Sequence, residues 1–217
     1  MENIFVVRVN GGLSNCLRTM LSYYEYAKSI NKQLVVVWNK TEACPGTFLE
    51  FFEPIDDIIF ENKKPDYYGI SGKEGFPPNL KLLKLKPFIQ SILDEKIKKL
   101  NNDYIAVHIR RTDLVNLKCQ YRKKDAITKD SEFFEFLDKS DKYIYIATDN
   151  VNTYNIFCDR YGDRIVFPYH QTRNGLRKTS LQDSIIDQYM CIHAKEFMGT
   201  RYSSFTGIIN HMRNNMK

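Results

Sequence analysis

The sequence lacks the short motifs that identify several common classes of nucleotide-dependent protein. It has no G-x-x-x-x-G-K-[ST], which excludes a P-loop ATPase or GTPase, and no G-x-G-x-x-G after a first strand, which disfavours a dehydrogenase. It also has no D-x-D triplet, so a metal-chelated diphosphate of the kind that motif supports is disfavoured. A diphosphate bound by this chain would have to be stabilised by arginine side chains and helix N-termini.

Paired cysteines and long apolar runs are absent as well. The five cysteines form no C-x-x-C pair, which disfavours a zinc ribbon or a disulfide framework. The N-terminus has no basic, apolar leader, and no apolar run approaches the roughly 20 residues that span a bilayer. We therefore expect a cytoplasmic protein without a membrane span.

The net charge of +6 favours anionic partners but does not choose among them. Lysine and arginine are dispersed along the chain, and Phe and Tyr occupy core-type positions instead of alternating with a basic stripe. A nucleic-acid-binding protein is disfavoured for this reason. A small anionic ligand fits the composition better.

Strands and helices alternate in both halves of the chain, which predicts an α/β fold with two Rossmann-like domains, 1–100 and 101–217. The buried strand Ile4–Val9, a turn, an amphipathic helix and the strand Gln33–Trp38 form a β-α-β unit. The later segment KKPDYYGISGKEGFPP, rich in Pro, Gly and Tyr, is predicted to be a loop. The second half has predicted strands in YIAVHI, KYIYIA, RIVF and EFMGT. A helix over Ser180–Ala194 is predicted to begin with a capping box formed by Thr179 and Gln182.

Charged and polar residues follow three of the predicted strands, and parallel sheets bind ligands at this carboxyl end. Arg110 and Arg111 follow YIAVHI, and strand alternation directs one of them into a crevice while the other pairs with an acid. The alternative is that both are surface charges. Ser203 begins a helix and indicates either an anion site or an ordinary cap. The Thr148–Asn150 segment suits either a base or ribose contact or a helix cap, and Asp187 is either a solvated acid or the partner of an arginine.

Four segments, taken together, resemble the superfamily of α-1,2-, α-1,6- and protein O-fucosyltransferases. HIRRTD (His108–Asp113) is similar to its H-x-R-R-[GT]-D motif, and Gly11–Trp38 resembles its N-terminal G-G-x-G-N segment. Ala147–Asn150 resembles an intervening S/T-D-N element. Thr179–Ile209 resembles a C-terminal segment in which an acid-bearing helix precedes a strand and a Ser-Ser/Thr-Phe turn.

The resemblance implies a GT-B architecture, with an acceptor-side N-terminal domain and a nucleotide-sugar-binding C-terminal domain facing each other across a cleft. It implies an inverting transfer of L-fucose from GDP-fucose to a glycan hydroxyl, with no metal and no further cofactor. Arg110 and Asp113 would be the catalytic residues. The donor would be bound by Gly12, Asn15, His108, Arg110, Asp149, Asp187, Ser203, Ser204 and Phe205.

The sequence departs from the family pattern at two places. Ser14 replaces the third glycine, and Cys16 follows Asn15 where Gln or Arg is usual. No acid stands a few residues beyond the motif as a general base, which leaves Asp113, Asp125 or no strong base. The alternatives to a fucosyltransferase are an inactive nucleotide-sugar-binding protein and a transferase for another GDP-6-deoxyhexose.

Overall fold

The described residues form two parallel β-sheets, one in each half of the chain. The computed structural model describes residues 3–111, 128–171 and 179–215. The chain divides into two compact units, Met1–Gln90 and Ser91–Lys217. The acceptor-side and donor-side roles of the two halves stay predictions.

The first unit contains a four-stranded sheet in the order β3-β2-β1-β4, with every neighbouring pair parallel. Its elements are β1 (Ile4–Val9), α1 (Leu13–Ser29), β2 (Gln33–Val37), α2 (Phe48–Phe51), β3 (Ile58–Phe60), β4 (Tyr67–Gly69) and a 3₁₀ turn, Leu80–Leu82. Leu17, Met20 and Leu21 of α1 are fully buried, because the 3.6-residue period puts them on the face turned to the sheet.

Helix α3 (Pro87–Lys99) contains the division between the units. The second unit has a three-stranded parallel sheet in the order β6-β5-β7. Its elements are β5 (Tyr104–Ile109), α4 (Asp130–Leu137), β6 (Tyr143–Thr148), α5 (Val151–Tyr161), a 3₁₀ turn (Gly162–Arg164), α6 (Leu181–His193), β7 (Glu196–Gly199) and α7 (Ser204–Asn215).

Strand β5 is central in its sheet, and all six of its residues are buried. This burial explains its nearly continuous apolar sequence, which is typical of a parallel strand covered on both faces. His108 of β5 lies opposite Ala147 of β6 and Gly199 of β7. The ends of the three strands therefore lie side by side, and the residues that follow them share one edge of the sheet.

The predicted α/β fold with parallel sheets is confirmed, and three local predictions are wrong. The segment predicted as strand RIVF instead contains a 3₁₀ turn and irregular backbone. Tyr67–Gly69, predicted as loop, forms edge strand β4. The capping box of α6 uses Ser180 and Asp183, one residue later than predicted.

Candidate active site

Thr200 fixes the end of strand β5. Its buried hydroxyl donates to the carbonyl of His108 (3.0 Å) and accepts from the backbone N–H of Arg110 (2.9 Å). The backbone N–H of Thr200 donates to the same His108 carbonyl at 2.9 Å. The Thr200 side chain thus connects the ends of β5 and β7 and fixes the backbone position of Arg110.

The two arginines that follow β5 have different environments. Arg111 is 8% exposed, and its guanidinium pairs with the carboxylate of Asp130 and lies 5.9 Å from the Phe133 ring centroid. Its backbone N–H donates to Asp149 Oδ1 at 2.8 Å. Arg110 is only partly buried at the edge of the sheet. Arg111 therefore pairs locally with an acid, as one of the two arginines was predicted to do. Arg110 lies partly buried at the strand end, and its direction into a crevice stays a prediction.

His108 is buried and neutral at physiological pH. Burial, together with the positive charge of Arg110, lowers the pKa of its imidazole to about 3. Its Nδ1 is hydrogen-bonded to Thr206 Oγ1 at 2.9 Å, and its ring lies 4.6 Å from that of Phe205. His108 therefore holds the first turn of α7 against β5 and adds no charge to the site.

Ser203 stands at the N-terminus of α7, where its carbonyl accepts the N–H of Gly207 at 2.9 Å. Its hydroxyl is buried and has no hydrogen-bond partner among the described residues. Ser204 and Phe205 follow it and are partly buried. A helix N-terminus presents free N–H groups and partial positive charge, so a buried, unpartnered hydroxyl here indicates an anion site.

The Thr148–Asn150 segment has mainly a structural role. Asn150 caps α5 by accepting the N–H of Thr153 at 2.8 Å, as the capping alternative predicted. Thr148 donates to the carbonyl of Ile109 at 2.7 Å, and Asp149 anchors the backbone of Arg111. These contacts hold the arginine segment in place. The structure therefore brings Arg110, His108, Asp149, Ser203, Ser204 and Phe205 to one edge of the second sheet.

A cavity of about 210 Å³ lies beside β6, lined by residues of β6, α6, α3 and the segment before α6. Asp187 lines it and accepts a hydrogen bond from the Tyr145 hydroxyl at 2.7 Å, so its partner among the described residues is a tyrosine. Burial raises the pKa of Asp187 to about 7, an effect that the hydrogen bond from Tyr145 partly offsets. A carboxyl group held here is a strong acceptor once it is ionised.

Other titratable side chains line the same cavity, among them Lys96, His170 and Asp183. The Lys96 ammonium lies 4.2 Å from the Phe167 ring centroid, and burial lowers the pKa of this lysine. His170 Nδ1 lies 3.4 Å from Asp183 Oδ1, and the Asp183 carboxylate also accepts the backbone N–H of Ser180 in the capping box of α6. The cavity thus combines acceptor and cationic groups, as a site for a polar heterocycle requires.

Gly12 and Asn15 lie in the first unit, at the turn between β1 and α1. The carbonyl of Gly12 accepts the N–H groups of Asn15 (2.9 Å) and Cys16 (3.1 Å), and Asn15 Oδ1 accepts from Arg18 at 3.3 Å. Gly11 has φ +86°, and a Cβ there would lie 3.0 Å from Asn15 Nδ2. Glycine is therefore required at this turn.

Two predicted candidates, Asp113 and Asp125, lie outside the described residues, so their roles stay predictions. Within residues 3–111, 128–171 and 179–215, no three His, Cys, Asp or Glu side chains cluster as metal ligands would. No helix in those ranges is both long and apolar enough to cross a membrane.

Sequence reasoning missed Thr200, Thr206 and Lys96. Thr200 is the last residue of the predicted strand EFMGT, and a hydroxyl side chain at the end of a strand was the signal that could have identified it. Thr206 directly follows the predicted Ser-Ser-Phe turn. Nothing distinguished Lys96 from the other lysines of its helix.

The chain is similar to known fucosyltransferases. A family model described as "GDP-fucose protein O-fucosyltransferase" matches residues 16–216. Among curated protein sequences, none matches this chain. One similar solved structure is NodZ alpha-1,6-fucosyltransferase soaked with GDP-fucose, which is 15% identical with a TM-score of 0.66 over 98% of this chain and 93% of that one.

Two other solved structures are similar over comparable lengths. Fucosyltransferase NodZ from Bradyrhizobium is 14% identical, with a TM-score of 0.68 over 96% of this chain and 92% of that one. POFUT1 in complex with GDP is 12% identical, with a TM-score of 0.69 over 99% of this chain and 95% of that one. At these identities the similarity establishes a shared fold.

Proposed function

Since this chain belongs to the GDP-fucose protein O-fucosyltransferase family, we propose that it transfers L-fucose from GDP-fucose to a glycan hydroxyl, with inversion and without a metal ion. Membership confirms the resemblance predicted from the sequence and the enzyme class, a fucosyltransferase. The glycan acceptor, the stereochemistry, the metal independence and the cytoplasmic location are parts of the proposal.

The observation that carries the proposal is the group of donors at the carboxyl edge of the second sheet. Arg110 follows β5, and the buried Ser203 hydroxyl, without a partner among the described residues, follows the neighbouring strand β7 at the N-terminus of α7. A guanidinium, a hydroxyl and free backbone N–H groups are what a diphosphate requires. We propose that the diphosphate of GDP-fucose binds at this edge.

The same groups supply the catalysis that the proposal needs. As the bond between fucose and the diphosphate breaks, negative charge grows on the leaving phosphate. A fixed cation at that phosphate interacts more strongly with the transition state than with the ground state, so it lowers the barrier. We propose that Arg110 has this role, and that Arg111, Asp149 and Thr200 position it through the contacts described above.

We propose that guanine occupies the cavity beside β6. Thr148, which lines this cavity, lies opposite Ile109 in the strand register, one residue before Arg110. A nucleotide can therefore extend from the cavity along the strand ends to the diphosphate groups. Ionised Asp187 would accept the N–H donors of guanine, and its hydrogen bond from Tyr145 orients it.

An inverting transfer requires a group that accepts the proton of the acceptor hydroxyl. Asp113, which follows the arginines in the sequence, is our candidate, with Asp125 as the alternative; the resemblance to the family supports Asp113 as a catalytic residue. Neutral His108 is a weaker candidate, because its Nδ1 is engaged with Thr206 and its pKa is lowered to about 3.

The test measures GDP release from GDP-fucose in the presence of EDTA, with glycan and protein acceptors offered separately and the anomeric configuration of the product determined by NMR. We expect turnover with a glycan and a product of inverted configuration. GDP-fucose binding without turnover on any acceptor would favour the inactive binding protein. Turnover with a different GDP-6-deoxyhexose in preference to GDP-fucose would reassign the donor. Loss of turnover on metal removal would contradict metal independence.

A further inference from the structure

We propose that Lys96 is a specificity-determining residue that selects a guanine nucleotide by donating a hydrogen bond to O6 of the base. The proposal rests on the proposed function and deepens it, because it assigns a second base-reading group to the nucleotide cavity. The geometric basis is that two side chains from separate elements, Lys96 of α3 and Asp187 of α6, line one cavity of about 210 Å³.

The cavity walls hold the Lys96 side chain in place. Its ammonium lies 4.2 Å from the ring centroid of Phe167, a cation–π contact that directs the charged end toward the cavity lining. The residue is half-buried, unlike Lys98 and Lys99 on the same helix, which are exposed. A half-buried ammonium interacts with a ligand at a lower effective dielectric constant than a solvated one, so its contribution to binding is larger.

The two charges match the two sides of guanine. The base carries acceptors, O6 and N7, on one edge and an N2 amino donor on the other. An ammonium group donates only, and a carboxylate accepts only. With the donor side against Asp187, Lys96 can meet the acceptor side. Adenine places an N6 amino group where guanine has O6, so two donors would face each other and one would lose its hydrogen bond.

A second explanation of Lys96 is structural. Asp183 and Asp187 line the same cavity, and a lysine beside two carboxylates reduces their mutual repulsion. That role alone would make Lys96 important for stability and for binding any nucleotide, but it would not distinguish one purine from another. The discrimination between purines is therefore the quantity to measure.

The experiment is calorimetric titration of the full chain, in EDTA, with GDP, IDP and ADP. Lys96→Met retains the methylene stem against Phe167 and removes the charge, and Lys98→Met on the same helix is the matched control. We expect Lys96→Met to weaken GDP and IDP binding about 10- to 100-fold, as the loss of one charged hydrogen bond does, while ADP binding changes less than about twofold. Lys98→Met should leave all three affinities unchanged.

IDP separates the two base contacts, because it retains O6 and N7 but lacks the amino group. The ratio of GDP to IDP affinity should stay the same in Lys96→Met, since that group faces Asp187. Equal weakening of GDP and ADP, or unchanged GDP binding, would overturn the assignment of Lys96. Wild-type protein that does not prefer GDP to ADP would overturn the proposed function as well. Lys96→Leu replaces Lys96→Met should the latter fail to fold.

Discussion

Arg110 and Arg111 are adjacent in sequence but are expected to respond to mutation in opposite ways. Arg110 is partly exposed at the strand end, whereas Arg111 is 8% exposed and paired with Asp130. Substitution of Arg110 should therefore impair catalysis with little change in stability, and substitution of Arg111 should lower stability. Arg110→Ala and Arg111→Met are the matched variants.

The size of each effect follows from the contacts. Removal of one fixed donor from a developing anion costs about 3–4 kcal/mol, so Arg110→Ala should slow turnover by roughly two to three orders of magnitude. Breaking a fully buried ion pair costs about 3–5 kcal/mol. Asp130 retains 34% exposure and can be rehydrated, so we expect about 2–3 kcal/mol for Arg111→Met, a fall in Tm of about 5–10 °C.

The assay combines steady-state GDP release with thermal unfolding of both variants. Asp130→Asn provides a second test of the ion pair and should lower the Tm in the same direction as Arg111→Met. Near-wild-type turnover of Arg110→Ala would refute its assigned role. An equal loss of Tm in the two arginine variants would refute the separation of a catalytic from a structural arginine.

Five further predictions concern pH, packing, stability and metal. Because the pKa of Asp187 is raised to about 7, we expect GDP affinity to fall as the pH decreases below that value, since a protonated carboxyl accepts hydrogen bonds poorly. Titration of GDP into wild type and Asp187→Asn at several pH values measures this. The same dependence of GDP affinity on pH in both proteins would contradict it. Because this folded-state pKa lies above the unfolded one, the same group stabilises the unliganded fold at low pH and loses that contribution as the pH rises toward 7, which unfolding of the same two proteins measures. Gly199→Ala puts a Cβ 2.5 Å from the side chain of Thr206, which is the hydrogen-bond partner of His108. Displacement of Thr206 should lower GDP affinity about tenfold or more. An unchanged affinity would mean that this packing does not position the site. Arg213→Met removes donors to four carbonyls around the end of α6 (those of Cys191, Ile192, Ala194 and Lys195), and urea unfolding should show a loss of about 2–3 kcal/mol. Turnover in EDTA should stay within about twofold of turnover in added Mg²⁺ if arginine and the helix N-terminus replace a metal.

Most of the fold could be predicted because its signals are local. Buried parallel strands such as β1 and β5 have β-branched apolar sequences that few other elements share. The two errors in strand assignment had tertiary causes. Phe167 in the segment RIVF packs against Tyr145 and Lys96 at the cavity, so its apolar character reflects the packing of a cavity wall and not a strand. Strand β4 consists of three residues at a sheet edge, too few for a periodic pattern.

The candidate site, like the fold, could be predicted only where its signals are local. Strand alternation separated Arg110 from Arg111, but the identity of Asp130 as the partner of Arg111 depends on chain packing that no short-range pattern encodes. The capping-box error arose because Thr179–Gln182 and Ser180–Asp183 both fit the pattern, and the packing of α6 selects the second. Lys96 could not be identified because a lysine that enters a cavity and one that is solvated have the same sequence signature.

The central claim is that positive groups at the end of β5 and at the start of α7 bind the diphosphate of the donor. A crystal structure of the complex with GDP tests it most directly. We expect phosphate oxygens within hydrogen-bond distance of the Arg110 guanidinium and the Ser203 hydroxyl, with guanine beside Asp187 and Lys96. A diphosphate bound elsewhere, with Arg110 directed into solvent, would contradict the claim.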